Sequence, residues 1–420
     1  MLKLGLLQYR IAGPPEVWKR VHRYASWMRR ISVGCRKVLG EAAIRQFRLN
    51  SPADGWFPAL RVLDWVITEH NLPYIDLVLS PSLEAITIST PPWWILPRFT
   101  RSILPALTPI FSVLPAPTLQ TLHFSTDNHD IPWEDLKNSF SSVVLRCGPS
   151  LTTLVSSVPL SDAAVDHTIR LPHISTWVVE GPPPNHSPSY SPTVFPPLTQ
   201  FGLGVTAGYG WLSLFQRLED HVSTTQSMTP LYRVKESLKS LSVGYSSAIP
   251  IVDISLISPI RIFRNLATLD VATSYYHGQC TFGLNNNDIT ELVMALPQPE
   301  RLHLRSPCQE NTCATSVVCL LQISVRCHKL GILSIHFNTT NIVDDLKNIP
   351  VDPQLQELCS LPRCTLPFFE AHGMPLTIDE SDFKTVVDGM RDIFPSLGFC
   401  TPLEGTWDGL ARRIEELQRT

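Results

Sequence analysis

An α/β solenoid, in which short parallel strands alternate with helical or irregular returns, is the fold this sequence predicts. Three observations carry it. An apolar–x–x–apolar–x–apolar triplet recurs along the chain, a proline precedes it at a fixed distance, and successive copies start 23 to 40 residues apart.

The clearest copies are Leu60, Leu63, Trp65; Leu83, Ile86, Ile88; Leu119, Leu122, Phe124; and Ile174, Trp177, Val179. The series continues with Leu198, Phe201, Leu203; Leu238, Leu241, Val243; Leu266, Leu269, Val271; and Leu330, Leu333, Ile335. Weaker copies start at Leu151, Pro299 and Leu355, which makes eleven. In a chain that is 44% hydrophobic the triplet alone is weak, and the punctuation strengthens it. Proline stands two places before the first position in eight of the eleven copies: Pro58, Pro81, Pro117, Pro149, Pro172, Pro196, Pro297 and Pro353. Random placement of 37 prolines would give about one. Proline cannot continue a helix, and the expectation is that it holds the chain extended where a strand begins. Regular leucine-rich repeats run about 20–29 residues. Several of these spacings are longer, so the array is an irregular one of leucine-rich-repeat type.

Between triplets the segments read as helical returns. Pro132–Leu136 opens one with acidic residues in its first turn. Asp162–Arg170 follows a candidate cap, Ser161. Trp211–Val222 carries an apolar stripe, Asn287 is a candidate cap for Asp288–Leu296, and Thr315–Cys327 is apolar enough to be buried. One unit cannot bury its own apolar face, whereas stacked units share a core and align their strands in a parallel sheet. The expected organisation is a helical N-terminal cap over 1–50, with Val17, Val21, Tyr24 and Met28 at helical spacing. A solenoid over 51–377 follows, with a Pro/Ser-rich surface loop at 181–193, and then a helical cap over 378–420 that contains Ser381–Phe394 and Gly405–Gln418.

Composition narrows the class. Residues 1–50 carry eleven Lys and Arg against Glu16 and Glu41, a charge of +9, which leaves −12 on the rest of a chain of net −3. The basic residues are interleaved with apolar ones, as on the wet side of an amphipathic helix. The start of the sequence lacks the apolar core of roughly ten residues that a secretory leader needs. The longest uncharged run, Ser102–Thr126, contains four prolines and makes a poor membrane span. A cytoplasmic or nuclear protein with reduced thiols is expected, with neither membrane nor nucleic acid as partner.

The segments FPALRVLDW (57–65), APTLQTLHF (116–124) and FRNLATLDV (263–271) resemble the divergent leucine-rich repeats of F-box proteins, in particular the large fungal F-box families. The stretch 16–33 is similar to the junction between the F-box and the repeats there. The resemblance spans roughly residues 15–400. It implies the substrate-recognition part of a cullin–Skp ubiquitin-ligase receptor. Pro14–Pro15–Glu16–Val17 only faintly echoes the Leu-Pro-x-Glu-Ile opening of an F-box, so an intact box is not expected within this sequence. Docking to a Skp adaptor and cullin then depends on a box upstream. The alternative is a stand-alone scaffold with no ligase role.

No catalytic, cofactor or metal residues are expected, and the chain is read as a non-enzyme. Gly202 and Gly204 fall on a strand and lack the spacing of a dinucleotide loop. Cys308 and Cys313 alone have zinc-like spacing, and Cys319 and Cys327 lie in an apolar run. Neither GxSxG nor HExxH occurs. Function is instead expected on the strand residues that alternate with the triplets and point to the inner, concave face. In the late repeats these include Asp270, Arg301, His303, Arg305 and His336, the candidate partner-binding residues. His303 and His336 are expected as a solvated pair, and the two arginines are expected to hold an acidic segment of a protein partner.

Overall fold

In a computed structural model of the chain, the structure describes residues 15–34, 41–52, 55–68, 71–90, 100–125, 133–180, 198–205, 230–245, 254–273, 283–296, 298–305, 314–349, 351–372 and 380–397. The chain divides into two compact units, residues 1–198 and 199–420. Both are α/β, and in each the described strands form a parallel sheet whose neighbours follow in chain order.

The first unit contains α1 (Pro15–Ala25), β1 (Arg30–Val33), α2 (Glu41–Leu49), β2 (Val62–Val66), β3 (Ala85–Ser89) and α3 (Thr100–Val113). Then come β4 (Thr121–Ser125), α4 (Trp133–Arg146), β5 (Thr153–Ser156), α5 (Asp162–Ile169) and β6 (Thr176–Glu180). Its strands pair in the order β1-β2-β3-β4-β5-β6. The second unit contains β7 (Gln200–Val205), α6 (Pro230–Ser237), β8 (Ser240–Tyr245), α7 (Ile254–Ile257), β9 (Thr268–Thr273), α8 (Asn286–Ala295) and β10 (Arg301–Arg305). It continues with α9 (Val318–Arg326), β11 (Ile332–His336), α10 (Ile342–Asn348), α11 (Pro353–Cys359), β12 (Phe368–His372) and α12 (Glu380–Ile393), its strands pairing as β7-β8-β9-β10-β11-β12.

The triplets set the register. Leu63 pairs with Ile86, Ile86 with Leu122, Leu122 with Leu154, and Leu154 with Trp177. In the second unit Phe201, Leu241, Leu269, Leu302, Leu333 and Phe369 form the matching column. A return of any length therefore brings the chain back to the same rung. Triplet residues are buried and their alternates half-buried in β2, β3 and β4, the signature of a sheet covered on one face and open on the other. The cover is helical: Phe111 of α3 and Phe140 of α4 meet Phe124 of β4 with ring centroids 5.8 and 5.9 Å away.

The prolines act differently from expectation. Leu60 N donates to Phe57 O (3.0 Å), Leu83 N to Ser80 O (3.2 Å), Leu119 N to Ala116 O (3.2 Å) and Leu151 N to Gly148 O (3.2 Å). Each proline is thus the second residue of a β-turn, where its fixed φ is already correct. The turn recurs without proline at Leu266 N to Phe263 O and Leu330 N to Cys327 O. After the turn, one carbonyl per rung accepts two amides from the next. Arg61 O takes Glu84 N (2.8 Å) and Ala85 N (2.9 Å), and Ala267 O takes Glu300 N (2.7 Å) and Arg301 N (3.0 Å).

Ten of the eleven triplets fall on strands. The exception is Leu355, which lies on α11, with Pro353 as that helix's first residue. The rung instead forms at Leu366, Phe369 and Ala371 on β12. An additional rung, Met28, Ile31 and Val33, lies on β1 inside the segment expected to be helical. The stripe Val17, Val21, Tyr24 is also not the packed face of α1. Trp18 and Ala25 are buried instead, with Trp18 5.5 Å from Phe47 and 5.7 Å from Trp56. The larger indole wins the interior, and Trp56 Nε1 ties down Phe47 O at 2.9 Å.

Ser161 caps α5 as expected, accepting from Ala164 N at 3.3 Å. The cap of α8 is Asn285 rather than Asn287: its side chain accepts from Asn287 N (2.8 Å) and Asp288 N (3.1 Å), while Asp288 accepts from Asn285 N (2.9 Å). In α9, Cys319, Leu320, Leu321, Ile323 and Val325 are buried, as the apolar run predicted. The expected helices Trp211–Val222 and Gly405–Gln418 and the loop 181–193 lie outside the described residues.

Candidate functional site: the open face of the second sheet

On the open face, residues far apart in sequence become lateral neighbours because register is fixed. The central column of the second unit runs Asp270, His303, Ser334, Glu370, each paired with the next across the ladder. Arg301 and Arg305 flank His303 on β10.

Arg305 Nη2 donates to both carboxylate oxygens of Asp270, at 2.9 and 2.8 Å. Ser334 Oγ donates to Glu370 Oε2 at 2.9 Å. His303 Nδ1 has no hydrogen-bond partner among the described residues. Burial, the largest influence, holds the His303 pKa below its ordinary value. Asp270 and Glu370 oppose that shift, and Arg305 and Arg301 add to it. The neutral imidazole therefore sits between two carboxylates and two guanidiniums, and the cluster is close to neutral. Arg301 is exposed and has no carboxylate partner among the described residues.

The five candidate residues do not all reach the surface. Asp270, His303 and Arg305 form one contiguous polar cluster, with Arg301 at its border. His336 is only 1% exposed, and Ser334 is 0% exposed, so β11 departs from the alternation seen elsewhere. His303 lies opposite Ser334, which offsets the two histidines by two residues. The expected solvated pair is absent because His336 is buried. Glu370 was missed by sequence reasoning because the last triplet was set at Leu355. The signal was present in Leu366, Phe369 and Ala371.

The first unit's open face has different chemistry. Arg30 reaches Asp64 Oδ2 through Nε (3.0 Å) and Nη2 (2.7 Å). Beyond that pair the face of β3 to β5 is small and uncharged: Ala85, Thr87, Ser89, Thr121, Ser125, Thr153 and Val155, around His123. Burial lowers the His123 pKa as well.

The thiols are placed for packing. Burial pushes Cys147 and Cys327 up to about 12 and Cys364 to about 11, so all three are held as thiols. Among the described residues no group of three His, Cys, Asp or Glu side chains could hold a metal ion. No described helix is long and apolar enough to cross a membrane. Gly202 and Gly204 lie on β7, within the sheet. Cys308 and Cys313 lie outside the described residues.

No family model matches the chain, and no curated protein matches it.

Proposed function

We propose that this chain is a protein-binding scaffold of leucine-rich-repeat type that takes its partner on the open face of β9 to β12. One observation carries the reading. A rigid, in-register set of half-buried polar groups, Asp270, His303 and Glu370, with the buried Ser334 between the last two, is bordered by the exposed Arg301 and backed by a sheet whose other face is filled with buried leucine and phenylalanine. Repeat sheets of this kind serve as extended docking surfaces, and groups fixed by a sheet lose little freedom when a partner binds.

The arginines do not make this face an acid trap, since Asp270 and Glu370 stand beside them. The favoured partner offers mixed hydrogen-bond donors and acceptors, including an acceptor for the exposed Arg301. The test compares affinity captures by the wild-type chain, by His303→Trp and Arg301→Glu, and by Arg264→Glu, an exposed control in the turn before β9. Proteins lost from both open-face variants and retained by the control support the proposal. The same recovery from all four chains refutes it.

The resemblance to F-box receptors supports a narrower version, in which this face selects substrates for a cullin–Skp ligase. Co-purification with Skp-type and cullin subunits from cells separates that role from a stand-alone scaffold.

A further inference from the structure

We infer that the outward face of α1 is a second docking surface, built for an acidic amphipathic segment of a partner protein. Three large apolar side chains are exposed on this helix and the turn that follows it: Val17 (40%), Tyr24 (59%) and Trp27 (61%). The other exposed large apolar residues, such as Leu49, Val113, Met294 and Val351, lie singly on separate elements. Isolated apolar residues at a surface are ordinary, whereas a contiguous cluster marks an interface.

The cluster is pre-organised. Tyr24 and Trp27 meet edge to face with ring centroids 6.0 Å apart, and the Arg23 guanidinium lies 5.3 Å from the Trp27 ring centroid. About a quarter-turn round the helix, Trp18 is committed to Phe47 and Trp56, and Ala25 on the same side is buried. The exposed stripe is therefore not a packing face that could turn inward.

Charge identifies the occupant. Arg23, beside the Trp27 ring, and Arg20 and Arg29, close to the pair in sequence, are exposed, and none has a carboxylate partner among the described residues. Arg29 Nη1 is held by Ala59 O at 3.0 Å, which fixes the charge without neutralising it. Glu16 is already paired with Lys19 at 3.0 Å. Apolar anchors with a one-signed rim fit a segment that alternates leucine- or phenylalanine-like residues with carboxylates. A nucleic acid would meet the arginines but leave Val17 and Val21 without an apolar partner. Arginine and aromatic side chains are also the residues that dominate protein interfaces.

The experiment measures fluorescence anisotropy of labelled 18-residue peptides against the full chain. One peptide is a designed helix with leucine at 3–4 spacing flanked by glutamate. The second is its scramble, and the third carries lysine for glutamate. Anionic phosphatidylserine vesicles and a single-stranded RNA serve as competing probes. The expected result is saturable binding of the acidic helix, weakened at least tenfold by Tyr24→Ala/Trp27→Ala, by Arg20→Glu/Arg23→Glu and by Val17→Glu, and falling steeply with added salt. These side chains are exposed, and circular dichroism checks that each variant keeps the fold. The inference is overturned if the acidic helix fails to bind, binds no better than its scramble, or binds all variants equally. Tighter binding of the vesicles or the RNA at this surface overturns it as well.

Discussion

Phe124 offers the sharpest test of how the sheet is covered. Its side chain is 1% exposed on β4 and forms a triangle with Phe111 and Phe140, which are 5.3 Å from each other. Truncation to alanine removes a transfer contribution of about 2 kcal/mol. A residual cavity on the order of 80–100 Å³, at roughly 24 cal/mol per Å³, adds about 2 kcal/mol more. Phe124→Ala is therefore expected to cost about 4 kcal/mol, and Phe124→Leu under about 1.5 kcal/mol. Thr121, three residues earlier on the same strand, is half-buried on the open face, and Thr121→Ala should stay within about 0.5 kcal/mol. Because the chain has two compact units, one global transition is not assured. Urea unfolding should be read with hydrogen exchange, which assigns the loss to β3, β4, β5, α3 and α4. Equal and small costs for Phe124→Ala and Thr121→Ala would refute the covered-face assignment, and with it the triplet frame.

Acidification should destabilise both units. Burial keeps the folded pKa of His123 and His303 below the ordinary value of 6.5. As pH falls below 6.5, the unfolded chain binds protons that the native chain refuses, so stability drops until the folded values are reached. Urea midpoints measured from pH 7.5 to 5 should fall, and His123→Gln/His303→Gln should flatten that fall; an unchanged slope in the double variant would refute it. At α8, Asn285→Ala removes the side-chain oxygen that accepts from Asn287 N and Asp288 N, leaves the backbone N–H to Asp288, and should cost about 1 kcal/mol. Its signature is faster amide exchange at Asn287 and Asp288, and wild-type exchange there would mean that the cap contributes nothing.

Much of the fold was legible because its signal is local and repeated. Leu63, Ile86, Leu122, Leu154 and Trp177 occupy one buried column, and the triplet that names them is written in six consecutive residues each time. The returns were less legible. The helix α3 runs through Pro105 and Pro109, which propensity forbids. It forms because Leu107, Ile110, Phe111 and Leu114 all reach the interior, an advantage visible only after β4 is placed beneath them. The N-terminal segment misled for a related reason. Val17, Val21 and Tyr24 share a helical face as good as that of Trp18 and Ala25, and periodicity cannot say which face finds a partner. Met28, Ile31 and Val33 satisfied the triplet but lay close behind a strong helical pattern.

The site was legible residue by residue and illegible as a set. That Asp270, His303 and Arg305 alternate with buried positions follows from the triplets. What they do to one another follows from register. Asp270 and Arg305 are 35 positions apart in sequence yet share two hydrogen bonds, and Ser334 finds Glu370 across 36. Placing the final rung at Leu355 rather than Leu366 removes Glu370 from the column. The two arginines then read as an uncompensated cationic patch suited to an acidic partner. With the rung in place Glu370 joins Asp270 and the patch is close to neutral in net charge, although Arg301 makes no ion pair among the described residues, as Arg20, Arg23 and Arg29 do not. One misplaced return thus changed the inferred charge of a surface without changing the fold, because the rungs tolerate variable returns while the open-face chemistry depends on which rung stands beside which.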